Sequence, residues 1–371
     1  MCWQRILALA YLLASLAPTG IADAQSVVTI GSDVACPRCR LTIARAATIG
    51  RDDDPVAWAP YFDVTRDSRG RYIVAPSDNG SQFLIYGRDG RFVRAVGRAG
   101  QGPGEFRSLF RVIVGAGDTL HAFDAGTRRW SVFSPTLEHV RSIPLPFTAQ
   151  AAVFLRPDQL VVHDLLPTRE RSGLPLHLVS ARGDVGPSFG NRAAAMSAGR
   201  RAELFRVVTR ASDSSVWAGY FDRYRIERWH VSGRLEHVVE RSASWYPQWS
   251  EYGSYRLDER RPQAQMRFIW QTPNGLLFVV TRVPDTRWQP SDESRTRAPR
   301  QERPILPRTE NARYTDTIIE VLDPRRGTLV TLLRIPEAID GFLPDGSLYS
   351  VRELPSGAEA IDVWRVQLTT P

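Results

Sequence analysis

The sequence predicts an all-β fold, a six-bladed β-propeller of four-stranded antiparallel blades, and three observations carry that prediction. Short apolar runs separated by turn residues recur along the chain at intervals of about 45 to 50 residues, the length of one blade. The sixth copy stops after three runs. LTIARAATIG, Leu41 to Gly50, stands alone before the first complete copy and has the pattern of a fourth strand. Placed in the last blade, this N-terminal strand closes a ring and hides the sheet edges that an open array would expose.

The units follow in order. The first reads YFDVT, RYIVA, QFLIY and RFVRAV, with SRG and RDG at turns where Gly70 and Gly90 supply the positive φ of a tight hairpin. The second reads FRVIVG, TLHAFD, WSVFS and HVRSIPL, in register with the first from Phe123 to Phe133. AAVFL, QLVVHD, LHLVSARG and a clipped DVGPSFG make the third; FRVVTR, SVWAGYF, YRIERWHVSG and RLEHVVER the fourth. The fifth is QMRFIW, GLLFVV, TIIEVLDPRRG and TLVTLLRI, interrupted by a polar insertion over 284–313. GFLP, SLYSVRE and AIDVWRVQL remain for the sixth. A β-sandwich would not repeat its strand signals at fixed intervals over this length, and no stretch has the period of a long amphipathic helix.

Composition narrows the function classes. The chain has 371 residues and 43% hydrophobic content, enough for a large repeat fold with a sizeable core. A net charge of +8 suits a polyanion partner, but all 48 basic residues are arginine and they are dispersed among aspartates and glutamates. That skew is the mark of a GC-rich genome, so no nucleic-acid partner is expected. The lack of lysine removes Schiff-base chemistry and a phosphate-loop lysine.

Arg5, the apolar run Ile6 to Ala17 and Ala22-Asp23-Ala24 have the form of a secretory signal peptide cut after Ala24. A secreted or periplasmic protein is therefore expected, with residues 1–24 as signal, 25–40 as an N-terminal segment and 41–371 as one propeller domain. No apolar run reaches the roughly 20 residues that a membrane-spanning helix needs. Cys36 and Cys39 form CPRC in a chain bound for an oxidising compartment, where a short-loop disulfide is expected, with free thiols or a metal site as alternatives. Zinc would need two more soft ligands, and a c-type haem would need His where Arg40 stands.

The glycine-rich GRAGQGPGEF, Gly97 to Phe106, is the one stretch that imitates a phosphate cradle. It fails both nucleotide patterns: Glu105 occupies the third glycine position of G-x-G-x-x-G, Pro103 stands where a phosphate loop needs Lys, and a strand follows instead of a helix. Its place between the fourth strand of one unit and the first of the next makes it an inter-blade hinge. The pattern VxxxGxxGxGPGEF after IYxxDGxF resembles the NHL-type repeat of six-bladed propellers found in many secreted bacterial proteins. The resemblance implies a propeller over Leu41 to Leu368, and a range of roles from protein-binding scaffold to sugar-lactone hydrolase and metal-dependent lyase.

In such a ring the connections from second to third strand, and from fourth to the next first, open on one face. The long connections of this chain are all of those two kinds. One of them carries Trp245, Tyr246, Trp249, Tyr252 and Arg256, flat rings beside guanidinium groups that suit a peptide or a sugar, and the insertion adds Trp288. Packing across the channel as a plug is the alternative for these rings. Asp124, His163, Tyr220, Arg282 and Arg352 stand near the inner ends of second strands and are the candidates for the channel mouth. His121 and His163 are offset in register, so no metal site is assigned and no cofactor is expected. The sequence reading is a monomeric, non-enzymatic binding module for a protein, peptide or glycan; the alternative is a hydrolase or lyase at the channel mouth.

Overall fold

The computed structural model describes residues 26–55, 58, 61–76, 80–164, 171, 173–192, 205–249, 260–290 and 313–371. Two strands precede the repeats, β1 (Ser26–Ile30) and β2 (Arg40–Ile49). Blade 1 comprises β3 (Phe62–Arg66), β4 (Tyr72–Pro76), β5 (Phe83–Tyr86) and β6 (Phe92–Val96). Blade 2 follows as β7 (Leu109–Val114), β8 (Leu120–Asp124), β9 (Arg129–Phe133) and β10 (His139–Pro144). Blade 3 is β11 (Ala151–Arg156), β12 (Gln159–His163), β13 (Leu176–Ser180) and β14 (Val185–Phe189). Blade 4 is β15 (Arg206–Arg210), β16 (Ser215–Tyr220), β17 (Arg225–His230) and β18 (Leu235–Arg241). In blade 5, β19 (Gln265–Gln271) and β20 (Leu277–Pro284) are joined to β21 (Thr315–Asp323) and β22 (Thr328–Ile335). Blade 6 has β23 (Gly341–Phe342), β24 (Leu348–Glu353) and β25 (Glu359–Thr369).

The ring closes as predicted: β2 pairs antiparallel with β25 from Arg40 opposite Thr369 to Ile49 opposite Ile361, giving blade 6 its fourth strand. Apolar side chains explain why the blades stack. The middle strands β4 and β16 are buried on both faces and read as near-continuous apolar runs, whereas β2, the outermost strand of blade 6, is largely exposed. A buried cluster forms between each pair of neighbouring blades. Phe83 and Ile85 of blade 1 meet Phe106, Leu109 and Phe133 of blade 2. Tyr349 and Val351 of blade 6 meet Phe62 and Val64 of blade 1, so the seam has the same kind of core as every other junction.

GRAGQGPGEF is the hinge the sequence indicates. Phe106 is fully buried, and Gly97 adopts φ 94° against its ring, where a Cβ would come within 2.5 Å. Glu105 ties the loop by accepting from Gly102 N at 2.8 Å and pairing with Arg98 at 2.7 Å.

One element goes beyond the sequence expectation. β1 adds to blade 4 as a fifth strand, parallel to β18, with Ser26 opposite His237 and Ile30 opposite Arg241. The chain then crosses blade 5, where Ala35 N donates to Leu329 O at 2.7 Å and Cys36 N to Val330 O at 3.2 Å. The Cys36–Cys39 disulfide forms, as expected of CPRC, at the corner where the chain turns into β2. Residues 26–49 therefore run along the outer edges of blades 4, 5 and 6. SVVTI has no counterpart in the repeat, so periodicity could not find it.

Candidate functional site

The polar residues at the ends of second strands have structural partners. Asp124 accepts from Ser108 N at 2.8 Å, Arg107 N at 3.0 Å and Thr127 Oγ1 at 2.7 Å, fastening the incoming inter-blade connection. Asp164 holds Thr148 and Ala149 in the same way one blade on. His163 links two blades: its Nδ1 donates to Pro175 O at 2.9 Å and its Nε2 accepts from Arg206 N at 3.3 Å. Burial pushes this imidazole down to about 4, with Arg206 adding to the effect and the Pro175 bond opposing it. Arg282 binds Asp340 and Ile339 O, each at 2.9 Å, and Arg352 binds Asp362, the carboxylate that Thr48 and Arg45 of the closing strand also contact. Asp124, His163, Arg282 and Arg352 hold blades and connections together instead of meeting at one point. No group of three or more His, Cys, Asp or Glu side chains placed to hold a metal ion occurs among the described residues.

Tyr220 differs. It ends β16 beside a cavity of about 750 Å³ on the face where second-to-third and inter-blade connections emerge. The turn residue Arg223, the strand residues Arg225 and Glu240, and the connection from Ser242 to Gln248 form the wall, with Asn191 and Thr29 at its edges. The Arg206 guanidinium lies 3.6 Å from the Tyr220 ring centre and that of Arg223 4.4 Å.

Two buried carboxylates organise the polar groups beneath. Glu227 Oε1 accepts from Asn191 Nδ2 at 2.6 Å, Arg225 Nε at 2.7 Å and Tyr220 OH at 3.2 Å, while Oε2 accepts from Trp229 Nε1 at 3.0 Å. Arg225 also pairs with Glu240. Burial opposes the charge on Arg225, but its bonds to Glu227 and Glu240 outweigh that and raise its pKa. Glu320, from blade 5, pairs with Arg241 at 2.7 Å and accepts from Tyr224 OH at 2.6 Å. Burial and the Glu320 charge raise the Tyr224 pKa, so the phenol stays a donor.

The aromatic connection is partly core and partly cavity wall. Tyr246 donates to Phe221 O at 2.9 Å and accepts from Met266 N at 2.7 Å; Trp249 Nε1 donates to Ala264 O at 2.8 Å. Both rings are buried and fasten the connection across blades 4 and 5. Trp245 is half-buried and stacks on Tyr246 with centroids 5.8 Å apart. Trp288 is half-buried in the turn after β20, its backbone N–H bound to Asp285 O. Tyr252 and Arg256, residues 291–312 of the insertion and the signal segment 1–24 lie outside the described residues.

Sequence reasoning missed Asn191, Arg223, Arg225 and Glu227. A signal was present: RYRIER places four charges in and beside a middle strand of the blade, and charges buried there must pair with one another or meet a ligand.

Fold and site define a six-bladed, all-β propeller with a polar cavity over a blade edge. A family model described as a six-bladed β-propeller, DUF5128, matches residues 63–171. A Bacteroides fragilis protein described as exported is 11% identical, with 92% of this chain and 100% of that one aligned at a TM-score of 0.57. A Bacteroides vulgatus member of the DUF4221 family is 10% identical over 89% of this chain and 99% of its own, at a TM-score of 0.60. Virginiamycin B lyase from Staphylococcus aureus is 8% identical over 88% and 99% of the two chains, at a TM-score of 0.44. No curated protein matches the chain by sequence. The first two likenesses show the shared fold.

Proposed function

We propose that the chain is an exported, non-enzymatic binding module that holds a peptide or glycan in the blade-4 cavity. The observation that carries this reading is the cavity itself: about 750 Å³, open to solvent, lined by tyrosine and arginine side chains on the face that bears the long connections. Tyr220 and Arg225 are fixed by the buried Glu227, and Tyr224 and Arg241 by the buried Glu320, so a ligand meets a preorganised surface. Export is supported by the signal-like opening segment, the Cys36–Cys39 disulfide and the exported Bacteroides fragilis protein of the same fold. Among the described residues no helix is long and apolar enough to cross a membrane.

Peptide and glycan arrays probed with the purified protein test the reading. Ser242 is exposed on the cavity wall, and Ser242→Trp fills the opening without disturbing a core position. The wild-type protein should bind a chemically coherent set of array ligands, and Ser242→Trp should lose them while unfolding at the same denaturant concentration. Binding unchanged in that variant, or no array binding at all, would remove the proposal. A stoichiometric divalent ion in protein purified without chelator would favour a metal-assisted hydrolase or lyase instead.

A further inference from the structure

The arginines around the cavity differ in how far their donors are occupied. Arg225 is spent on Glu227 and Glu240, and Arg241 on Glu320 and Gly31 O. Arg206 is buried, lies against Tyr220 and donates to Phe205 O at 2.9 Å. Arg223 stands apart. Its nearest carboxylate among the described residues, Asp222, is 3.8 Å away, beyond hydrogen-bond reach, and its buried Nε has no hydrogen-bond partner among them. Its side chain is 31% exposed at the cavity wall, with the guanidinium held against the Tyr220 ring. An arginine restrained in this way presents a planar fork, the shape that binds a carboxylate through two parallel hydrogen bonds.

An apolar surface adjoins this fork. Phe205, at 39% exposure one of the few exposed large apolar residues, has its ring 6.0 Å from Phe221, which in turn meets Trp249 at 5.7 Å. Phe221 directly follows Tyr220, and Trp249 follows Gln248 of the wall and donates its backbone N–H to Asp222 O. The aromatic step and the cavity thus share one rim. Phe205 and Arg206 also stand side by side at the start of blade 4, so a ring and a guanidinium are offered from adjacent positions.

Building on the binding-module reading, we infer that the ligand is a peptide with a terminal aromatic residue, its carboxylate on Arg223 and its side chain on the Phe205–Phe221 step. The charge balance favours one carboxylate over several. Arg206, Arg223, Arg225 and Arg241 face Asp222, Glu227, Glu240 and Glu320, so among these described groups the poorly matched Arg223 is the one open to a further anion. A sugar acid would satisfy Arg223 but bring hydroxyl groups to the phenyl ring of Phe205.

Calorimetric titration with N-acetyl-alanyl-phenylalanine, its C-terminal amide and glucuronate tests the inference. The acid should bind, with the amide and glucuronate each about tenfold weaker or worse, a difference typical of removing one charge-assisted hydrogen bond. Arg223→Gln should erase the preference for acid over amide, and Phe205→Ala should weaken acid and amide alike while leaving the preference intact. No heat from the acid at concentrations on the order of 10 mM, equal binding of acid and amide, tighter binding of glucuronate, or a preference that survives Arg223→Gln would each overturn it. The failures are separable. Array ligands blocked by Ser242→Trp but lacking a terminal carboxylate would sink this inference and leave the binding module standing; empty arrays sink the module itself.

Discussion

Acidification should unlock the junction between blades 3 and 4 through His163. In the native protein this imidazole is neutral, with its proton on Nδ1 for Pro175 O and its bare Nε2 facing the Arg206 N–H. Adding a proton to Nε2 sets two donors against each other in a site without water access, which is why burial holds the pKa at about 4. The unfolded chain takes up a proton near the ordinary value of about 6.5. Because the folded value is the depressed one, the stabilisation is fully present above about pH 6.5 and is lost as pH falls toward about 4. A gap of about 2.5 units is worth about 3 kcal/mol. His121, also pushed down to about 4 by burial, adds a similar loss of its own. The measurement is guanidinium unfolding at pH 7 and pH 4 on the wild-type protein and on His163→Gln, which keeps polar atoms at the junction but does not titrate. Wild type should lose about 3 kcal/mol more than the variant across that interval, the His121 contribution cancelling between them. Equal losses would show that His163 is not the sensing group and that the geometry of the junction has been misjudged.

Arg241→Met leaves Glu320 buried without its guanidinium, since the pair is almost wholly inaccessible, and should cost about 3 to 5 kcal/mol in urea unfolding. Replacing both Cys36 and Cys39 by Ser opens the short loop between them and should lower stability by about 2 kcal/mol under oxidising conditions, with no difference once reductant is present.

The ring was legible because its physics is periodic. The second strands β4, β8 and β16 are buried along their whole length, so YIVAP, LHAFD and SVWAGY announce themselves as largely apolar runs at a fixed spacing, and a missing outer strand is conspicuous. GRAGQGPGEF was legible for a similar reason: without a helix after it, its glycines could only turn the chain. The site was harder. Asp124 and His163 stand where ligand-binding residues of a propeller could stand, but one sequence cannot tell a side chain that reaches into the channel from one that bonds to the adjoining loop. RYRIER marked Arg223 and Glu227 as charges in need of partners, but their shared cavity became visible only when three connections and the first strand were brought to one place, a juxtaposition that depends on contacts between residues tens of positions apart. SVVTI carried too little pattern in five residues to reveal that it pairs with a strand over two hundred residues away.

The course of residues 26–49 along three blade edges bears on how the protein comes to be assembled. β2, the second strand made, is the partner of the last: Arg45 and Asp362, which bond across the closed blade, are 317 residues apart. While the polypeptide is emerging, blades 1 to 5 can stack in turn and β1 can add to blade 4, but blade 6 cannot form until β24 and β25 arrive. Loop closure over so long a separation makes docking of β2 the late step. A chain arranged in this way stays open throughout synthesis and completes its circle only once its last strand has emerged.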